Sequence, residues 1–173
     1  KYTANIHRGD YTNSLKVSEL YEECRDEIRE FINAKHNAEI VFTAGATQAL
    51  NDIAFGYFKH HLKSGDEILI TESEHASNVL PWFVLQKEMG VVVKYIPLNE
   101  KNEVDIVNLE SVISDKTRVV SIAHITNVIG DVRDIKKISQ VCHRHNILLV
   151  VDAAQSIAHE KIDVQDMDID FLG

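Results

Sequence analysis

The sequence predicts an α/β fold of three layers, α/β/α, with a mostly parallel sheet covered by helices on both faces. Three observations predict it. From residue 39 onward, short β-branched and apolar runs alternate with longer segments whose apolar residues recur every three or four positions, the order that builds βαβ units. The run L-L-V-V-D-A-A-Q-S at 148–156 is apolar without alternation until Asp152, as expected of a parallel strand buried on both faces. A chain of 173 residues, 45% of them hydrophobic, suffices for one sizeable core and a modest appendage.

Taken in order, residues 1–13 are polar and irregular and read as an arm. An amphipathic helix follows over 14–36, with Ser14 as its cap and Val17, Leu20, Tyr21, Cys24, Ile28, Phe31 and Ile32 on one face. Residues 1–36 thus form one region and 37–173 a second. The second opens with a strand over 39–43, then Gly45, Ala46 and Thr47, and a helix to Leu62 carrying Leu50, Ile53, Ala54, Tyr57 and Phe58 on one face. A turn at 64–66 leads into a strand over 67–71. The next helix begins near Ser77, bears Pro81 in its first turn, where a missing N–H costs little, and stops around Gly90. Strand 91–96, helix 105–113, strand 117–125, helix 134–145, strand 147–151 and a last strand from 169 complete the alternation. That last strand runs to the final residue with no closing helix, so the fold is expected to be incomplete at that edge.

A net charge of −9 with dispersed basic residues leaves no footprint for nucleic acid or an anionic membrane, and points to small solutes or other proteins as partners. No apolar run has the length of a transmembrane helix and the first residues lack a signal-peptide pattern, so the chain reads as cytoplasmic. Cys24 and Cys142 fall on helical faces and read as small buried hydrophobes. No metal site is expected. Cys142, His143 and His145, or His60 and His61, are one or two positions apart on helices and point in different directions.

In a parallel sheet every segment leaving the carboxyl end of a strand lies on one rim, and that rim is where open α/β sheets bind ligands. After the first strand, Gly45, Ala46 and Thr47 open a helix whose free N–H groups, dipole and threonine hydroxyl suit a phosphate. After the second come Glu74, His75, Ser77 and Asn78, after the fourth His124, Thr126, Asn127 and Gly130, and after the fifth Asp152, Gln155, Ser156 and His159. Each has a plain structural alternative: an ordinary helix start at Gly45, caps at His75, Asn78 and Asp152, a turn asparagine at Asn127. Together, an anion cradle, a flat ring, an amide and a carboxylate on one rim suit a phosphorylated, planar, nitrogen-containing cofactor. Pyridoxal phosphate meets each requirement, with its phosphate at Ala46 and Thr47, its ring on His75, its phenolic oxygen near Asn127 and Gln155, and its pyridine nitrogen protonated against Asp152.

Six motifs run through almost the whole chain: H-R-G at 7–9, Y-E-E-C-R-D-E-I-R-E-F-I-N-A at 21–34, F-T-A-G-A-T-Q-A-L-N at 42–51, Glu74-His75-x-x-Asn78 with Pro81-Trp82, Asn127-x-x-Gly130, and V-D-A-A-Q-S at 151–156. On these the chain resembles the class V group of fold-type I pyridoxal phosphate enzymes, and within it the cysteine desulfurases of iron–sulfur cluster assembly and the related selenocysteine lyases. The resemblance implies the large domain of that fold, incomplete here. It also implies that Thr47 binds phosphate, His75 stacks on the ring, Asn127 and Gln155 contact the phenolic oxygen and Asp152 pairs with the pyridine nitrogen, His75 and Asp152 being the catalytic pair. For the full-length protein it implies a homodimer that removes sulfur from L-cysteine to give L-alanine and an enzyme persulfide. An aminotransferase, an epimerase or a kynureninase-like hydrolase would share this part of the chain, as would a non-catalytic cofactor-binding module. The chain departs from the desulfurase pattern twice. Tyr11 stands where the arm motif H-R-G-x-H has its second histidine. The family's Schiff-base lysine and catalytic cysteine would fall beyond residue 173, so this chain alone is expected to lack turnover, and neither Cys24 nor Cys142 takes the cysteine's role.

Overall fold

The structure is a computed structural model that describes residues 4–6, 9–101 and 103–173; His7 and Arg8 of the arm motif lie outside the described residues. The chain divides into two compact units, residues 1–42 with 161–165 and residues 43–160 with 166–173.

In the first unit, α1 (Thr12–Phe31) starts directly after Tyr11, so Ser14 is not its cap. The Ser14 side chain is buried inside the first turn and donates to the Asn5 carbonyl at 2.6 Å. The helix also stops short of His36. Asn33 takes the left-handed conformation (φ 55°), the Ala34 N–H reaches back to the Arg29 carbonyl at 2.8 Å and the Asn33 N–H to Glu30 at 3.2 Å, a reversal that satisfies the last carbonyls and closes the helix. A 3₁₀ turn at Asn37–Glu39 follows, and the strand expected over 39–43 is absent. The backbone at Ile40 is extended, but its carbonyl accepts from the Arg25 guanidinium instead of a neighbouring strand. Phe42 packs edge-on against Tyr21 at 4.7 Å, with Arg25 over its ring. Cys24, read as buried, is exposed on α1.

In the second unit, the helix expected after Gly45 runs from residue 46 to 61 as α2 (Ala46–Asn51), a π-helical stretch Asp52–Phe58, and α3 (Lys59–His61). Then come β1 (Glu67–Ile70), α4 (Ala76–Met89), β2 (Val92–Tyr95), α5 (Ile106–Val112), β3 (Thr117–Ala123), α6 (Ile135–Arg144), β4 (Leu148–Asp152) and β5 (Phe171–Leu172). Because α4 starts at Ala76, Pro81 falls in its second turn, where it deprives the Ser77 carbonyl of a helical donor. Asp105 caps α5 through Val107 N–H at 2.7 Å, and Asp134 caps α6 through Lys137 N–H at 3.1 Å.

Among the described residues the strands form one sheet in the order β2-β1-β3-β4-β5, every ladder parallel. The chain moves from β1 to β2 on one side and then to β3 on the other, so the order reverses between β1 and β3. Alternation along the strands sends side chains to opposite faces. Ile68, Ile70, Val119 and Val150 pack with Leu50, Phe58, Trp82 and Leu85, whereas Leu69, Val120, Ile122 and Leu149 pack with Leu109, Ile138, Val141 and Cys142. Helices therefore cover both faces, as the alternating sequence requires. No helix among the described residues is long and apolar enough to cross a membrane.

Candidate functional site

The carboxyl ends of β1, β3 and β4 meet at the point where strand order reverses, the position at which open α/β sheets form a ligand crevice. Asp152 is the last residue of β4 and only 5% exposed. Its Oδ1 accepts from the Ala154 N–H at 3.0 Å, and its backbone carbonyl accepts from the His124 N–H at 2.9 Å. Burial pushes the Asp152 carboxyl above the usual carboxylate range; the Ala154 N–H opposes this, the Glu74 carboxylate adds to it, and His75 opposes it. The cap reading of Asp152 is thus present in the geometry, yet the side chain bears a burial penalty that a cation facing it would relieve.

Ala46 and Thr47 are the first two residues of α2, behind Gly45 at φ 151°, a conformation side-chain-bearing residues rarely adopt. The Thr47 hydroxyl hydrogen-bonds to the Ser77 hydroxyl at 2.8 Å, and Ser77 Oγ lies 2.9 Å from His75 Nδ1. His75 Nδ1 also accepts from the Ser77 N–H at 3.2 Å, capping α4; in the neutral ring the proton therefore sits on Nε2. The structure brings Thr47, Ser77 and His75 together. Ser77 is the bridge; the sequence marked it as a rim residue and a helix start, without assigning it a part in the cofactor site. Asn127 and Gln155 sit in exposed turns after β3 and β4, and among the described residues neither hydrogen-bonds to the other candidates. A groove of about 410 Å³ opens at the carboxyl ends of β1 and β2, lined by Thr71, Glu72, Glu74 and Tyr95 among others. A larger one of about 490 Å³, around Ser114, Arg118 and His145, holds none of the candidates.

The sequence reading missed the buried ion pair beneath this rim. Arg133, in the turn before α6, donates through Nη1 to Glu74 Oε1; the two side chains are 1% and 0% exposed. Arg133 Nη2 donates to Thr71 Oγ1 at 2.9 Å and Ser73 Oγ at 2.7 Å. Glu74 also accepts from the Thr71 hydroxyl at 2.6 Å, the Asn78 amide at 2.9 Å and the Ala123 N–H at 2.7 Å, and Asn78 in turn accepts from Ser121 at 2.6 Å. Asp131 Oδ2 lies 3.6 Å from Arg133 Nε. Burial also marks His124, whose imidazole is pushed below its ordinary value by desolvation, with Glu160 opposing. Cys142 is buried, and desolvation pushes its thiol up to about 12, so it is unreactive at neutral pH.

The sequence matches the family described as Aminotransferase class-V over residues 1–173. It is 42% identical over 172 residues to a probable cysteine desulfurase of Halalkalibacterium halodurans, covering 99% of this chain and 42% of that one. It is 41% identical over 171 residues to a probable cysteine desulfurase of Staphylococcus aureus strain Mu50, covering 99% and 41% respectively. Among solved structures, the apo form of a cysteine desulfurase from Thermococcus onnurineus NA1 superposes with a TM-score of 0.93 at 34% identity, over 99% of this chain and 42% of that one. The cysteine desulfurase CsdA from Escherichia coli superposes at 0.87 and 31% identity, over 98% and 42%. The chain spans about two-fifths of the length of the curated relatives it matches. With the family match running from end to end and the fold superposing over nearly all of it, the chain belongs to the aminotransferase class-V family.

Proposed function

We propose that this chain is the cofactor-seating part of a pyridoxal phosphate-dependent cysteine desulfurase, with residues 1–36 as arm and helix and residues 37–173 as the part of the large domain that holds the cofactor. The observation that carries the reading is Asp152, a carboxylate buried at the end of β4 and oriented by Ala154, on the same rim as Thr47, Ser77 and His75.

Pyridoxal phosphate fits this donor set. The N–H groups of Ala46 and Thr47, with the hydroxyls of Thr47 and Ser77, would hold the phosphate at the start of a continuous helical stretch. The His75 ring would lie against the pyridine face, and the amides of Asn127 and Gln155 would donate to the phenolic oxygen. Asp152 would accept the pyridinium N–H, and the positive ring would return the carboxyl to its ionised form against the burial that raises it. When bound, the protonated pyridine supplies the electron sink for a carbanion at the α-carbon of an amino acid.

The names of the relatives support cysteine as substrate and sulfur removal as the reaction. In the full-length protein, with an added thiol reductant to release the persulfide sulfur, L-cysteine is expected to yield sulfide and alanine in equal amounts, with kcat falling by about 100-fold or more in Asp152→Asn. Transamination or racemisation without sulfide overturns the desulfurase reading. The observation favouring such another class V reaction is Tyr11, which replaces the histidine of the desulfurase arm motif.

A further inference from the structure

Across the rim, two segments far apart in sequence are tied by one buried charge pair whose shared contact is the residue facing Asp152. Glu74 Oε2 accepts from the Ala123 N–H at 2.7 Å, and Arg133 Nη1 donates to the Ala123 carbonyl at 3.2 Å. Ala123 is the ladder partner of Asp152 between β3 and β4, where adjacent strands lie about 4.8 Å apart. The Arg133 backbone N–H donates to the His124 carbonyl at 2.9 Å, while the His124 N–H holds the Asp152 carbonyl at 2.9 Å. Arg133 therefore grips, by side chain and main chain, the two residues of β3's end that lie alongside Asp152.

We propose that Arg133 is a positioning residue for Asp152: it neutralises Glu74, the buried carboxylate whose charge acts on Asp152, and fixes the end of β3 against which Asp152 is set. The proposal rests on the cofactor reading above. An ion pair this deeply buried is weak evidence of a stability role, since apolar side chains of similar volume hold such positions as well or better. With Glu74 in place its charge acts on Asp152, and Arg133 is the cation that contacts Glu74 directly and offsets it. The charged groups acting on Asp152 are Glu74 and His75 from the β1–α4 junction; His124 reaches it through the main chain, and Arg133, with Asp131 at 3.6 Å, reaches it through Glu74 and the end of β3. Of these, Arg133 is the permanent cation.

The test uses the full-length protein and the pH dependence of its affinity for pyridoxal phosphate, measured by equilibrium dialysis. In Arg133→Met, Glu74 keeps three donors, from Thr71, Asn78 and Ala123, but loses its counter-cation; its charge then opposes that of Asp152, and the acid limb of binding moves up by about one pH unit. In Glu74→Gln the guanidinium keeps only the longer contact to Asp131 at 3.6 Å, and the limb moves down. The double variant returns the limb to its original position. Structural damage alone would weaken binding in both single variants without opposite displacements. Should a single variant fail to fold, Arg133→Lys and the double variant carry the test: each lowers Tm, and neither moves the limb. Limbs that move in the same direction or stay in place in the single variants, or a limb displaced in Arg133→Lys or in the double variant, overturn the proposal while leaving the cofactor reading intact. Absence of pyridoxal phosphate binding by the unsubstituted protein overturns the cofactor reading itself, and the proposal with it.

Discussion

His143 is held between two carboxylates, its Nδ1 2.7 Å from Asp168 Oδ2 and its Nε2 2.9 Å from Asp170 Oδ2, while the same Asp170 oxygen accepts the Leu149 N–H at the start of β4. The bond to Asp170 raises the imidazole above its ordinary value; partial burial opposes it and Asp168 adds to it. The folded state therefore keeps the proton longer than the unfolded chain. The stabilisation is fully present below about pH 6.5, the unfolded value, and is lost as pH rises through the folded one. In the full-length protein His143→Gln is expected to lower Tm at pH 6 and by progressively less toward pH 9; a deficit constant across that range would refute the ion-pair assignment. In sequence, His143 stood out only as a neighbour of Cys142 and His145, because nothing local announces an aspartate 25 or 27 positions later that folds back onto it. The same limit hid Arg133. Thr47, His75, Asn127, Gln155 and Asp152 each became candidates from their place at or just after a predicted strand end, in Thr47's case a strand over 39–43 that the structure lacks, whereas the Glu74–Arg133 pair spans 59 positions and a buried arginine has the same local pattern as an exposed one.

At the scale of the element, the helical stretch from Ala46 to His61 contains Gly56 in its π-helical part, exposed, with open space where a Cβ would stand. Gly56→Ala is expected to stabilise the full-length protein by about 0.5–1 kcal/mol, read as a shift in urea midpoint with unchanged slope, because alanine restricts the unfolded chain and suits a helical backbone. A loss of stability would mean that the π-helical backbone tolerates only glycine there. The order of strands and helices was readable because hydrophobic period changes sharply at Ser64–Asp66, at Gly90 and at Asn146. Several boundaries were not. A β-branched run such as residues 39–43 reports extended backbone, but a strand also needs a partner, and at Ile40 the Arg25 side chain takes the carbonyl instead. Ser14 has the chemistry of a cap, yet its hydroxyl is drawn to Asn5, an arm residue whose approach no local pattern encodes.

At the scale of the molecule, the sheet separates two apolar layers that share its strands but not their side chains. Ile68 packs toward α4 and Ile138 toward β4 on the other face, each nearly inaccessible to solvent. Ile68→Val and Ile138→Val are each expected to cost about 0.5–1.5 kcal/mol. Lying in separate layers, their effects should add within about 0.5 kcal/mol when the double variant of the full-length protein is unfolded in urea. A larger coupling would show that strain passes through the sheet. The all-parallel order also sets how the molecule comes together. Glu67 pairs with Val92 on one side and with Thr117 on the other, 25 and 50 positions along the chain. Doubling the closed loop adds about 0.6 kcal/mol of entropic resistance. The crevice between β1 and β3, where Glu74 meets Arg133, thus lies behind the longer of these two searches, and the rim that would receive a ligand is expected to be a late product of folding, not its seed.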